Sequence, residues 1–258
     1  MLITGASRGL GLEVAKILAA RGDFIVLNGR DAKRLKSAQL ALGTAAGENS
    51  EIFAADVAEP GYAQKLAKLL QKRKITRLDC VIHNAGINHM GSITDTKPAN
   101  AEQTFHVNAC SVINLIKASE PYLSQAKDAR FILVSSLMKY FPMPGRSVYA
   151  ASKAAAEQFA QAWQLELRAK GSPIRVQIFR PAGIETDFHH NTPTDGSAPR
   201  SDISRMSAVK VATYLADFTT SASSELAPGF MNKLVAFVAR HFPRVTKAIL
   251  LRRYKRHA

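Results

Sequence analysis

Six apolar runs of four or five residues recur along the chain: Met1–Thr4, Phe24–Asn28, Ile52–Ala55, Cys80–His83, Phe131–Ser135 and Val176–Phe179. Every gap between them holds one stretch of helical length and pattern: Leu10–Arg21, Ala32–Leu42, Gly61–Lys74, Ala101–Gln125 and Val148–Lys170. This alternation is the strongest constraint on the fold. Neighbouring strands separated by a helix cannot be joined as hairpins. They pair in parallel through crossover connections, and the helices cover both faces of the sheet. The expectation is therefore an α/β fold with a doubly wound, mainly parallel sheet in three layers. At 258 residues and 47% hydrophobic the chain can bury one sizeable core. No run reaches the roughly 20 apolar residues of a membrane-spanning helix, and Met1 leads straight into a strand rather than a secretory signal.

The first strand ends in Thr4-Gly5-Ala6-Ser7-Arg8-Gly9-Leu10-Gly11, which opens a helix. Glycines at 5, 9 and 11 allow a tight turn and close approach of a phosphate to backbone amides. The helix N-terminus then favours an anion. Strand, Gly-rich turn and helix in this order mark a Rossmann-like dinucleotide site, with Gly5, Ser7, Arg8, Gly9, Leu10 and Gly11 as candidate contacts. An NAD site usually carries an acidic residue at the end of the second strand. Here the segment reads Asn28-Gly29-Arg30, and Arg8 lies in the first turn. Two guanidinium groups suit a ribose 2′-phosphate, so Asn28 and Arg30 join the candidate set and NADP(H) is expected over NAD(H).

Downstream lies Ser147-Val148-Tyr149-Ala150-Ala151-Ser152-Lys153. Residues four apart share a helix face, so Tyr149 and Lys153 stand side by side. A nearby ammonium favours phenolate and lowers a tyrosine pKa, which makes the pair a candidate general acid/base.

Together these segments resemble the classical short-chain dehydrogenase/reductase family over residues 1 to about 230. The Gly-rich turn, the Asp56-Val57 pair after the third strand, Asn84-Ala85-Gly86 after the fourth, Asn108, Ser136, Tyr149, Lys153 and the segment Pro181–Thr186 occur in the family's order and spacing. The resemblance implies an NADP(H)-dependent carbonyl reductase or alcohol dehydrogenase. Tyr149 would exchange the proton. Lys153 would lower its pKa and bind the nicotinamide ribose. Ser136 would orient the substrate carbonyl, and Asn108 would hold a relay water. Asp56, Val57, Asn84, Ala85, Gly86, Pro181, Ile184 and Thr186 would complete the cofactor site. No metal ligand set is implied. Strand alternation lets only one of Ser135 and Ser136 face the substrate, and the family spacing selects Ser136. Family members usually form homodimers or homotetramers through the helices at Ala101–Gln125 and Val148–Lys170.

Departures from the family pattern are informative. His83 replaces an asparagine and reads as a strand-end residue making a local hydrogen bond. Pro181 is followed by Ala182 rather than glycine, and the first strand is about three residues short. The family's ending, a last strand with Asp-Gly-Gly, is absent; Ala227-Pro228-Gly229-Phe230 stands there. Residues 1–230 are expected to form the catalytic domain, with 231–258 a basic amphipathic extension broken at Pro243. The net charge is +15, and no Asp or Glu follows Glu225, whereas eight Lys and Arg do, from Lys233 to Arg256. Such a tail suits peripheral contact with an anionic membrane. Nucleic-acid binding is disfavoured by the absence of a recognised motif. The Pro-, Ser- and Thr-rich stretch Asp187–Ser204 reads as a surface loop over an apolar, Met-containing substrate wall of Met138, Tyr140, Phe141, Pro142, Met143, Phe188 and Met206. Cys80 and Cys110 read as buried, reduced thiols of a cytoplasmic protein. The competing reading is an NADP(H)-binding regulator without turnover, against which the intact Asn108, Ser136, Tyr149 and Lys153 set argues.

Overall fold

The computed structural model describes residues 1–186, 188, 192–196 and 205–255. Its strands are β1 (Leu2–Thr4), β2 (Ile25–Gly29), β3 (Ser50–Ala54), β4 (Cys80–His83), β5 (Met90–Gly91), β6 (Arg130–Val134), β7 (Arg175–Phe179), β8 (Gly183–Glu185), β9 (Thr194–Asp195), β10 (Arg205–Ser207) and β11 (Glu225–Leu226). Its helices are α1 (Gly9–Ala20), α2 (Ala32–Leu40), α3 (Thr44–Glu48), α4 (Tyr62–Lys72), α5 (Pro98–Phe105), α6 (Ser111–Leu123), α7 (Ser147–Ala169), α8 (Ala208–Phe218), α9 (Phe230–His241) and α10 (Pro243–Lys255). Seven strands form one parallel sheet in the order β11-β7-β6-β4-β1-β2-β3. The order reverses direction at β1 and β4, and a ligand crevice opens at the carboxyl ends of the strands on either side of such a reversal.

Strand alternation explains why two cores form. Leu2, Val26, Val81, Phe131, Leu133, Val176 and Ile178 face one side, where they pack with residues of α4, α6 and α7. Ile3, Ile25, Leu27, Cys80, Ile82, Ile132 and Val134 face the other, against α1 and α8. Successive side chains of a strand point oppositely, so one apolar run supplies both layers. Each such fully buried aliphatic side chain contributes about 1.5–3 kcal/mol of transfer free energy. Trp163 of α7 meets Phe131 edge-on, with centroids 5.3 Å apart.

The structure departs from the sequence reading in several places. A last strand does exist: β11 pairs with β7 in parallel although it lacks Asp-Gly-Gly. Two residues are too short to show a period-2 pattern. The single helix expected over Ala101–Gln125 is divided into α5, a π-helical turn over His106–Cys110, and α6. The amphipathic α8 was not anticipated. Cys110 is exposed, and only Cys80 is buried. The loop Asp187–Ser204 lies largely outside the described residues. The break at Pro243 occurs as expected, between α9 and α10.

Candidate active site

A cleft of about 960 Å³ opens at the carboxyl ends of the strands. Of the expected catalytic and cofactor residues, all but Gly11 and Asn108 line it.

At the dinucleotide end, Gly9 has φ +57°, in the left-handed region that L side chains avoid. Gly11 is tighter: a Cβ there would lie 2.4 Å from the Gly5 carbonyl oxygen and 2.6 Å from Asn84 Nδ2. Gly11 is therefore a packing residue that lets the turn fold onto Asn84. Asn84 Nδ2 donates to the carbonyls of Thr4 (3.1 Å) and Gly5 (3.3 Å), pinning the turn from below. Thr4 Oγ1 accepts from the amides of Asn84 and Ala85. The Asn28 side chain is committed elsewhere. Its Nδ2 donates to the carbonyls of Phe53 and Ala55, and its Oδ1 accepts from the Tyr62 hydroxyl. It clamps β2 to β3, leaving its backbone to face the cleft.

Arg8 and Arg30 both line this end, joined by Arg34, which the sequence reading missed. Two carboxylates share the wall, and both have other work. Asp31 caps α2 by accepting from the amides of Lys33 and Arg34, bonds that hold its carboxyl below the usual range. Asp56 accepts from the Ala58 amide and lies 3.9 Å from Arg30 Nη1. A bound dinucleotide phosphate therefore finds backbone amides and guanidinium groups here.

At the other end, Tyr149 and Lys153 project from α7 and are buried. Ser136 caps a 3-10 turn over Leu137–Tyr140, accepting from the Met138 amide, and also hydrogen-bonds to Tyr149. Burial pushes the Tyr149 phenol up to about 12, while Ser136 and Arg146 pull it back. The pull expected from Lys153 is not among these. Its Nζ lies 6.0 Å from the Tyr149 ring centroid and donates to the Val134 carbonyl at 3.0 Å. Burial lowers Lys153 to about 8. At neutral pH the pair is a phenol beside an ammonium. The neighbouring Ser135 also lines the cleft, and its Oγ is buried with no hydrogen-bond partner among the described residues.

Asn108 sits in the π-helical turn, a distortion common at functional positions. Both its amide hydrogens are taken, by the Ile87 carbonyl (2.8 Å) and by Ser152 Oγ (2.9 Å). Ser152 Oγ in turn donates to the Tyr149 carbonyl. Asn108 therefore ties the loop after β4 to the helix that carries Tyr149 and Lys153. His83 is also more than a local strand-end bond. Fully buried, it pairs at 2.8 Å with Ser111 of α6, and burial lowers its pKa to about 3, with Lys153 adding to the effect.

The expected substrate wall is only partly assembled. Met138, Phe141, Met143, Phe188 and Met206 line the cleft, and Phe188 meets Tyr149 edge-on. Tyr140 does not; it packs near Lys139 and Arg180. Pro142 is not in the wall either. Phe230, Met231 and Val235 of α9 complete the lip, although the sequence reading had assigned residues 231 onward to a separate extension. Sequence reasoning also missed Arg146. Arg146 is the N-cap of α7, three residues before Tyr149, where the backbone has not yet entered the helix and helical spacing gives no signal.

With this geometry in view, the comparisons with known proteins are decisive. The family model described as short chain dehydrogenase matches residues 1–196. The chain belongs to the short-chain dehydrogenase/reductase family. Mouse dehydrogenase/reductase SDR family member 7B is 32% identical, covering 93% of this chain and 81% of its own. A 2,3-dihydro-2,3-dihydroxybenzoate dehydrogenase of Bacillus subtilis is 30% identical over 72% of this chain and 70% of its own. Among solved structures, a short-chain dehydrogenase from Sphingobium yanoikuyae in complex with NADPH superposes with a TM-score of 0.76 at 26% identity, covering 95% of this chain and 94% of its own. One from Burkholderia cenocepacia in complex with NADP reaches 0.79 at 22% identity, covering 97% and 96%, and speaks for the fold. Among the described residues no helix is long and apolar enough to cross a membrane.

Proposed function

We propose that this family member is an NADP(H)-dependent oxidoreductase interconverting a carbonyl and a secondary alcohol, with Tyr149 as general acid/base. The observation that carries this reading is the shared wall of one cleft. Tyr149 is a buried phenol bonded to Ser136, with the Lys153 ammonium beside its ring. NADPH, when bound, supplies the hydride. Tyr149, held as a phenol, donates the proton to the carbonyl oxygen. Ser136 orders that oxygen, and the buried ammonium of Lys153 stabilises negative charge developing on the phenol. Arg8, Arg30 and Arg34 favour the 2′-phosphate of NADP(H), and the related protein crystallised with NADPH supports this choice. The apolar lip of Met138, Met206, Phe230 and Met231 suits a hydrophobic substrate body.

The test is Tyr149→Phe. It should abolish NADPH oxidation across a series of carbonyl compounds of graded chain length while leaving NADPH binding intact. Turnover that survives this change, or a preference for NADH in the wild type, would sink the proposal. A regulator without turnover would instead oxidise NADPH with none of these compounds.

The tail carries a second part of the reading, peripheral attachment to an anionic membrane. Phe237, Phe242, Val245, Ile249 and Leu251 are exposed, and the basic residues of α9 and α10 lie among them. Salt-sensitive co-sedimentation with phosphatidylserine vesicles should be lost on removing residues 240–258. Equal sedimentation of the full and shortened chains would refute attachment.

A further inference from the structure

Arg146 stands at the N-terminus of α7 and is only 4% exposed, yet it lines the cleft. A buried cation is costly unless an anion accompanies it. Among the described residues, the groups acting on Arg146 electrostatically are Tyr149 and Arg205, and no carboxylate is one of them. Tyr149 keeps its proton at neutral pH and so offers no charge. Arg205, the exposed first residue of β10, is a second cation in the same region. Like charges gathered in an apolar cleft raise the local concentration of anions. Two other buried cations have fixed protein partners: Lys153 of the cleft wall holds the Val134 carbonyl, and Arg180, outside the wall, holds Glu157 and Glu225.

We propose that Arg146 is a specificity-determining residue which binds an anionic group, carboxylate or phosphoryl, on the carbonyl substrate. The inference rests on the oxidoreductase reading above. It converts a hydrophobic ligand into an amphipathic one, with an anionic group near the reacting end and an apolar body along Met138, Phe141, Met206 and the α9 lip. Arg146 caps α7 three residues before Tyr149, and both line the cleft, so the anion and the reacting carbonyl are read from the same end of it. A guanidinium fork suits either oxyanion through paired hydrogen bonds.

The test uses the full chain saturated with NADPH and needs no turnover. Calorimetric titration with octanoate, octyl phosphate and neutral octanamide should show at least one anion binding roughly tenfold to a hundredfold more tightly than the amide. Whichever anion binds more tightly names the group. Arg146→Met should bring that ratio close to one, and Arg146→Lys should keep most of it. Equal binding of all three probes by the wild type, or a ratio unchanged in Arg146→Met, overturns the proposal. Should Arg146→Met fail to fold, the wild-type ratio and Arg146→Lys still decide. In parallel, reduction of 3-oxooctanoate is compared with that of its methyl ester. Reduction of both, with neither octanoate nor octyl phosphate favoured over octanamide in the titration, refutes the anion site and leaves the oxidoreductase reading standing. Arg146-dependent octanoate binding without reduction of either does the reverse.

Discussion

Glu157 is the buried acid that holds the catalytic end together, and Glu157→Gln isolates its charge. Its carboxylate, inaccessible to solvent on α7, accepts from Arg180 Nε at 3.1 and 3.0 Å, from Arg180 Nη2, and from Lys139 Nζ. Arg180 Nη1 continues to Glu225 of β11 at 2.8 Å. Lys139 sits on the turn capped by Ser136, and Arg180 immediately precedes Pro181. One carboxylate thus fixes the Ser136 turn, the Tyr149 helix and the strand end beyond β7. Glutamine keeps the shape and removes the charge, leaving Arg180 buried with one half-exposed partner. Breaking a buried pair from one side costs about 3–5 kcal/mol. In a domain of this size each kcal/mol lowers Tm by about 2–4 °C, so a fall of roughly 10 °C is expected. Calorimetry and urea titration at pH 7 would measure it. Burial alone would raise the Glu157 pKa, but Arg180 and Lys139 more than offset it, and the carboxyl is held below its usual value. Its contribution is therefore complete above about pH 4.5 and lost as pH falls below that value. The variant should lack this portion of the acid transition. A Tm within 2 °C of wild type, with an unchanged acid transition, would refute the argument.

Other expectations follow from the same geometry. Gly11→Ala drives a methyl group into the Gly5 carbonyl and Asn84, so NADPH affinity should fall at least tenfold by fluorescence titration. Gly22→Ala, at φ +93° with open space around it, should lose only about 1 kcal/mol and leave NADPH binding unchanged; equal effects of the two changes would refute the packing account. His83 is held neutral by burial, so the unfolded chain takes up a proton below about 6.5 that the folded chain refuses until about 3. Stability should fall with decreasing pH in that window by up to about 1.4 kcal/mol per unit, and His83→Asn should flatten the slope of urea midpoint against pH. Asn108→Ala unfastens the Ile87 and Ser152 contacts; kcat should fall by an order of magnitude or more with little change in NADPH binding, and circular dichroism should show an intact fold. With Lys153 titrating near 8, kcat/KM for reduction should decline above that pH as the ammonium is lost.

Much of the fold and site was legible because local rules governed them. The strand–helix alternation predicted the parallel sheet, since each apolar run had to feed two layers at once. The glycine spacing and the Tyr149–Lys153 interval depend on one turn and one helix, and both are expressed in consecutive residues. What escaped the sequence was long-range. The pairing of Glu157 with Lys139 and Arg180 joins residues 18 and 23 positions away. Asn28 lines the cleft, but nothing in the sequence signals that Phe53, Ala55 and Tyr62 claim its side chain. The π-helical turn at Asn108 leaves the 3.6-residue pattern nearly intact and so hides within an apparently single helix. Burial outweighs the neighbouring charges at Tyr149, and no helical spacing reports how deeply a side chain is buried.

Helix α9 belongs to two surfaces at once. Phe230, Met231 and Val235 form the lip of the cleft, yet Phe230 remains 78% and Met231 64% exposed. A substitution at either position is therefore pleiotropic. It alters the lining of the cleft and also the apolar surface that the helix presents to solvent. Replacing these side chains with polar ones to shed exposed apolar surface would therefore also remodel the mouth of the cleft.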